Sequence, residues 1–294
     1  MNNKFLGAVF LSLAASIWGG MYVVVKVVVE VIPPFEIVWS RYIISVLILY
    51  IAALMMKQSL KIARKDWGIL FLVSVVGYIV SIVTQEYGTM FSTAQMAAII
   101  TSTTPAFMII FARFILKEKI TVKKSLSIIL ATAGVFLIVG TTGSQGETMQ
   151  LGGIYSIIAA LTWALMSVLI KKVPSHYSQI VYTMYSSLIS AVILTPFVVP
   201  NLDQIDWQRA MAPEISGGIL YLGIVSTAGG FFLWNKGLQL MNASSGGLFF
   251  FFQPIVGAFL GWLLLGEEIG LPFFVGTLLI FSGVFLVIKN EENM

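Results

Sequence analysis

Cysteine is absent from this chain, and histidine occurs once, as His176. Without a thiol there is no disulfide, no thiolate nucleophile and no Cys-ligated zinc or iron–sulfur site. Charge is scarce as well. Asp, Glu, Lys and Arg make up 10% of the residues, against about 25% in a soluble domain. The sequence contains no G-x-x-x-x-G-K-[ST] phosphate loop, no H-E-x-x-H and no G-x-S-x-G. A primary pump, a zinc hydrolase and a serine hydrolase therefore lack their working residues. The expectation is a chain that is not an enzyme and uses no cofactor or metal.

What the chain has is apolar surface. Hydrophobic residues make up 58%, and the mean hydropathy is +0.95. So little polar surface suits lipid rather than water. The length allows roughly ten spans of about 20 residues. Short polar breaks divide the apolar runs into 5–26, 35–56, 67–86, 92–114, 121–140, 151–170, 179–199, 215–235, 243–264 and 270–289. The first run exceeds a signal-peptide core and reads as a span. The longest stretch between spans, Pro200 to Glu214, is a loop and not a module.

The second half of the chain repeats the first. Gly7 and Gly152, Trp18 and Trp163, and Lys26 and Lys171 are each 145 positions apart. Further along the offset becomes 149, linking Gly88 to Gly237, Pro105 to Pro254, Glu118 to Glu267 and Gly134 to Gly283. Each half, 1–145 and 146–294, holds five apolar runs. Five is odd, so the second copy must enter the membrane upside down. Inverted repeats of this kind are common in secondary transporters, with the solute path at the interface of the two copies.

The basic residues set the orientation. With the N-terminus inside, 14 of the 17 lysines and arginines fall on the inner face, leaving Lys26, Arg41 and Arg209 outside. That bias places both termini in the cytoplasm. The net charge of +4 thus reports orientation and not a nucleic-acid partner. The expected fold is an all-α integral membrane protein, ten transmembrane helices in two inverted five-helix repeats, multi-pass in the cell inner (plasma) membrane.

Several segments carry a resemblance. Leu6-Gly7, Trp18-Gly19 and Lys26 open the chain, and Pro33-Pro34 precedes Arg41. Thr104-Pro105 with Lys117-Glu118, and Gln253-Pro254 with Gly266-Glu267, are each followed by Ala133-Gly134 or Ser282-Gly283. Taken together over nearly the whole chain, this pattern resembles the EamA family of the drug/metabolite transporter superfamily. The resemblance implies a ten-helix fold of inverted repeats that moves amino acids, amines or other small metabolites, with export the more common direction.

The solute site is expected at paired helix breaks. Pro105 and Pro254 fall near the middle of the fourth and ninth spans, where a proline clashes with the carbonyl four residues back, at Thr101 and Phe250. Freed carbonyls must meet protein or a water-filled cavity. Of the four hydroxyls from Thr101 to Thr104, at most two can face one cavity. Gln95 and Gln253 carry amides at depth, which cannot satisfy themselves locally. Trp18 and Trp163 lie halfway along their spans, away from the interfaces that tryptophan usually marks. Each indole either bonds a neighbouring helix or lines the pathway. Tyr22 and Ser167 follow these tryptophans on the same helical face, and Tyr78 is a further candidate. Trp234 and Asn235 near the end of the eighth span, and Glu86 at the end of the third, are candidate gates.

Lys26, Glu36, Arg41 and Glu86 read as charges at the outer mouth. Arg41 is about 9 Å deep by helical rise, and Glu30 and Glu36 are available to neutralise it and Lys26. The alternative is that Arg41 or Lys26 receives an anionic group of the solute. Glu86 could accept a proton, and its repeat mate, Asn235, cannot. The functional expectation is a secondary transporter for an amino acid or related amphiphilic compound, working by alternating access, as monomer or homodimer. A channel-like facilitator and a non-transporting scaffold are the alternatives. The expected partners are the solute and the lipid bilayer.

Overall fold

The computed structural model describes residues 3–92, 97, 100–139, 147–265 and 270–292. Among them every regular element is helical, with no strand. Six helical stretches are long and apolar enough to cross a membrane: Asn3–Val28, Pro34–Met55, Arg64–Phe91, Gln150–Lys172, Gln179–Gln204 and Pro213–Leu240. Shorter apolar helices are present at Thr104–Ile115 and Phe274–Leu286. Large apolar side chains such as Leu47, Phe114 and Phe285 cover the outside of the bundle. Lipid tolerates such a surface because helices satisfy their own backbone groups.

In chain order the main helices are α1 (Asn3–Val28), α2 (Pro34–Met55), α3 (Trp67–Val73), α4 (Ile82–Phe91), α5 (Thr104–Ile115), α6 (Val122–Val139) and α7 (Glu147–Leu169). They continue as α8 (Gln179–Val198), α9 (Pro213–Leu220), α10 (Gly230–Leu240), α11 (Phe252–Leu265) and α12 (Leu271–Glu292). A π-helical segment, Ser74–Ser81, joins α3 to α4, and another, Tyr221–Gly229, joins α9 to α10. The two widened segments overlap under the 149-residue offset. Such segments recur at functional sites. The stretches containing α4 and α10 run to Phe91 and Leu240. They therefore end about a turn beyond the ends expected at 86 and 235.

Packing between the halves is reciprocal. α1 packs on α10 and α11, while α7 packs on α4 and α5. α2 packs on the second π segment and α8 on the first, α2 meets α8, and α6 meets α12. Exchanging each element for its repeat mate leaves this set of contacts unchanged, as a two-fold relation requires.

The repeated residues make these contacts. An added Cβ on Gly237 would stand 2.6 Å from Leu11 Cγ and 3.1 Å from the Gly7 carbonyl. Its mate Gly88 faces the Gly152 carbonyl at 3.3 Å on the same reckoning. Gly134 and Gly283 form the corresponding crossings of α6 and α12, against the carbonyls of Gly276 and Ser127. Glycine is needed there because backbone meets backbone. Gly257 likewise packs toward the Gly19 carbonyl, inside one subunit.

Two lysines close two helix ends in the same manner. Lys26 Nζ donates to the carbonyls of Thr89, Met90 and Ser92 at 3.2, 3.4 and 2.8 Å. Lys171 Nζ donates to those of Leu238 and Met241 at 2.6 and 2.8 Å. These are the C-terminal ends of α4 and α10, where orphan carbonyls and the helix dipole both favour a cation. Glu118 does the opposite service at an N-terminal end. It accepts from the backbone of Ala243 and Ser244 at 3.0 and 3.1 Å and from the Ser244 hydroxyl.

Candidate functional site

A cavity with about 350 Å³ of atom-free space, counted to its open mouth, lies between the halves. Trp18 and Met21 of α1, Ile82 and Gln85 of α4, and Ala159, Ala160 and Trp163 of α7 line one part of it. Thr101, Thr104, Phe231, Phe250 and Gln253 complete the wall. Eight of these residues are repeat mates of one another, in the pairs Trp18 with Trp163, Ile82 with Phe231, Thr101 with Phe250, and Thr104 with Gln253. The cavity is thus built largely from sequence-equivalent residues of the two halves.

Aromatic rings form its floor. Trp18 meets Trp163 edge to face with centroids 5.2 Å apart, and Trp234 at 5.4 Å. Trp163 meets Phe231 at 5.1 Å, and Trp234 meets Phe250 at 4.7 Å. Edge-to-face pairs hold rings in fixed orientations beyond what burial alone achieves. Two of the indoles are satisfied by protein. Trp18 Nε1 donates to the Ser226 carbonyl at 3.0 Å, and Trp234 Nε1 to Ser167 Oγ at 3.0 Å.

Three polar atoms of the wall are not satisfied. Trp163 Nε1, Thr104 Oγ1 and Gln253 Oε1 are buried and have no hydrogen-bond partner among the described residues. Buried polar atoms are nearly always paired, so each orphan calls for an account. Here all three line one cavity and offer an N–H donor, a hydroxyl and an amide carbonyl.

The candidate residues separate into groups. Trp18, Thr101, Trp163 and Gln253 line the cavity. Tyr22 is one step behind, sharing a 2.7 Å hydrogen bond with Thr101 Oγ1. Ser167 is occupied by Trp234. Tyr78 and Asn235 form a buried polar network away from the wall, in which Asn235 Nδ2 donates to Tyr78 Oη at 3.1 Å and to Thr183 Oγ1 at 3.0 Å. Gln95 lies outside the described residues.

Pro105 and Pro254 are placed differently from the expectation. Neither interrupts an intact helix. Pro105 falls in the first turn of α5, and Pro254 in the first turn of α11, just after the 3-10 segment Gly247–Phe251. A proline there costs no hydrogen bond, because first-turn N–H groups have no partner within the helix. The break precedes each proline, and it turns Thr104 and Gln253 into the cavity.

The outer-mouth cluster needs correction. Arg41 and Glu86 are completely buried and pair with each other, Nη1 to Oε1, at 2.7 Å. Arg41 Nε also donates to Thr227 Oγ1 at 2.7 Å, and Nη2 to Ser226 Oγ at 3.1 Å. Depth and these partners remove any need for Arg41 to reach the surface. Glu36 is buried at 6% exposure and forms no ion pair among the described residues, and neither does Glu30. Lys26 is taken up by helix-end carbonyls. The two segments expected to gate the ends instead send Gln85 to the cavity wall and Trp234 into the ring cluster.

Gln85, Thr104, Phe231 and Phe250 are wall residues outside the expected set. Phe250 and Thr101 each stand four residues before a proline, and Thr104 and Gln253 stand one before. Proximity to the paired prolines was thus the available signal for Thr104 and Phe250. Gln85 belongs to the polar group Thr84-Gln85-Glu86 that marked the end of the third span as a further wall, and Phe231 had no signal, since its helix merely passes the wall.

A polytopic helical bundle with an aromatic cavity between two repeat-related halves defines a membrane transport protein. The chain belongs to the EamA-like transporter family, whose profile matches residues 5–140 and 150–289. It is a multi-pass membrane protein of that family. The uncharacterized transporter YetK of Bacillus subtilis (strain 168) is 30% identical over 99% of this chain and 89% of its own. The uncharacterized transporter YoaV of the same organism is 27% identical over 97% of both. A shorter permease-like protein, YdzE, also from that organism, is 71% identical over 74 residues, 25% of this chain and 95% of its own length. A crystal structure superposes with a TM-score of 0.80 over 98% of both chains at 15% identity, a likeness of fold.

Proposed function

We propose that this protein is a secondary transporter that carries a small amphiphilic metabolite, an amino acid or a close relative, by alternating access. The observation that carries the reading is the trio of unpartnered polar atoms, Trp163 Nε1, Thr104 Oγ1 and Gln253 Oε1, on the cavity wall. An indole N–H suits a carboxylate or carbonyl, and an amide oxygen suits an ammonium or N–H. The aromatic floor suits an apolar side chain. Among the described residues the wall carries no charge, which disfavours solutes with several charges.

In this reading the halves 1–145 and 146–294 are inverted five-span repeats that rock about the cavity. Both termini are cytoplasmic and the membrane is the plasma membrane, on the distribution of basic residues. Export is the direction favoured by the resemblance noted from sequence. Thermal unfolding of the purified protein with amino acids, amines and sugars in turn tests the site, because a ligand of the folded state raises its apparent stability. Stabilisation by one solute class, lost in Gln253→Ala and Trp163→Ala, supports the reading. Stabilisation that survives in both variants moves the solute elsewhere. Normally folded protein that no solute stabilises, and that moves none in vesicles, favours a scaffold.

A further inference from the structure

The cavity wall is neutral, yet a buried ion pair lies directly behind it. Each nitrogen of Arg41 in α2 has a partner, in Glu86, Thr227 and Ser226, with Met21 Sδ 3.5 Å from Nη2. Glu86 of α4 is not. Its Oε1 accepts from Arg41, and its Oε2 is buried with no partner among the described residues. An ionised carboxylate has about four acceptor sites. Burial disfavours its charge and the guanidinium favours it, so the two forms of Glu86 are held in opposition.

The pair touches the cavity through two side chains. Met21 lines the wall and contacts Arg41. Gln85 lines the wall, adjoins Glu86 in sequence and places Nε2 3.9 Å from Met21 Sδ. A change at Glu86 and a change in cavity contents therefore act on the same two residues.

The other half places neutral residues at the matching positions. The repeat mates of Arg41, Glu86 and Thr227 are Ser186, Asn235 and Tyr78. There Asn235 Nδ2 serves Tyr78 and Thr183. The fold therefore accepts a neutral network at this position. A buried ion pair is no better for stability than such a network, and an ionisable group inside a membrane protein points to a task.

We propose that Glu86 is the proton-binding site that couples solute movement to proton movement, an inference that rests on the transporter reading above. A proton from water bonds to Oε2, making Glu86 a neutral acid. Its ion pair with Arg41 is lost, and with it one of the links between α2 and α4. On the other side of the membrane the proton returns to water and the pair re-forms. No covalent bond other than O–H changes, and no other reactant is required.

The groups facing Glu86 are few. Arg41 is its one ion-pair partner among the described residues. α1 contributes Tyr22 and Lys26, the latter held on carbonyls at the far end of α4. α2 adds Tyr42, while Glu36 of the same helix interacts with Tyr87 and forms no ion pair among the described residues. The π segments add Tyr78 and Tyr221, and α7 adds Tyr155 against Tyr87. No second described carboxylate shares the site, so Glu86 titrates against Arg41.

The test uses the proton as its first probe. Infrared difference spectra of the protein in lipid discs are recorded from about pH 9 to about pH 5, the range reached by buried carboxylates. Wild type is expected to gain a protonated-carboxyl band that is missing from Glu86→Gln. The band is missing too from the neutral pair Arg41→Ser with Glu86→Asn, which copies the other half and leaves no bare charge if the single variant fails to fold. A spectrum in which all three proteins gain the same band overturns the proposal.

The second probe is a mixture of the common amino acids outside vesicles that carry the protein and a one-unit pH gradient. For one proton per solute, accumulation has a ceiling of about tenfold. Accumulation in wild type that falls to simple equilibration in the neutral pair supports the proposal. Equilibration in wild type, or equal accumulation in both, overturns it and leaves the transporter reading standing. If no amino acid enters in either protein, the solute reading fails instead, and the infrared result alone decides for or against the proton site.

Discussion

Trp18 and Trp163 occupy equivalent positions in the two halves and meet edge to face at 5.2 Å, yet the indole of Trp18 is hydrogen-bonded and that of Trp163 has no partner among the described residues. Ser226 supplies its carbonyl to Trp18, and the mate of Ser226 is Gly77, which is filled by Met166. A symmetric scaffold thus offers one free N–H to the cavity. Trp18→Phe should cost about 1–3 kcal/mol, because it leaves a buried carbonyl unpaired. Trp163→Phe removes a similar volume but no bond to protein, so its loss should be smaller. Thermal unfolding in detergent compares the two directly, and equal losses would show that the asymmetry is not real.

The repeated glycines make a second prediction. Gly237→Ala places a methyl group 2.6 Å from Leu11 Cγ and 3.1 Å from the Gly7 carbonyl. α1 and α10 must then separate, at a cost of about 1–3 kcal/mol. Gly217 in α9 has nothing within 4 Å of the added Cβ. Gly217→Ala should instead be neutral or stabilising by up to about 1 kcal/mol, through helix propensity. Unfolding midpoints of the two variants should move in opposite directions or differ clearly in size.

Much of the scaffold could be read from the chain because it depends on residue type at fixed spacing. The offsets that link Gly7 to Gly152 and Gly88 to Gly237 mark residues that meet across the two halves. The depth of Trp18 and Trp163 brought both to the cavity wall. The partners of the charges could not be read in this way. Arg41 meets Thr227 across 186 positions, and nothing local in either segment encodes that contact. Setting the end of the third run at 86 also put Glu86 at a surface, because α4 continues through polar residues that a hydropathy boundary excludes. The prolines were legible as breaks, while their harmless place in a first turn depended on where each helix restarts.

Lys26 and Lys171 should be equivalent in effect. Each holds carbonyls at the end of a helix in its own half, α4 for Lys26 and α10 for Lys171. Lys26→Met and Lys171→Met keep most of the side-chain volume and remove the donors. Each should cost about 1–3 kcal/mol, the range for leaving buried polar groups unpaired. Combined, the losses should add, since the two sites share no partner. Denaturation of the two single variants and the double variant tests this, and a strongly sub-additive double would mean that the two ends communicate.

Arg41 and Glu86 should behave in the opposite way, as one unit. Glu86→Gln leaves a guanidinium in the bundle interior with no counter-charge. Removing one member of a buried pair costs about 3–5 kcal/mol. Arg41→Ser leaves Glu86 in the same difficulty, although a carboxylate can escape by taking up a proton, so its loss should shrink as the pH is lowered. The sign follows from linkage. With Arg41 gone, the folded state binds that proton more readily than the unfolded state, so acid stabilises the variant relative to wild type. Joining Arg41→Ser to Glu86→Asn removes both charges and recreates the residue types of Ser186 and Asn235. The double variant should be more stable than Glu86→Gln alone, and its loss should vary little with pH. Unfolding midpoints measured across a pH series for the three variants test each part, and losses that simply add would show that the 2.7 Å contact carries no coupling.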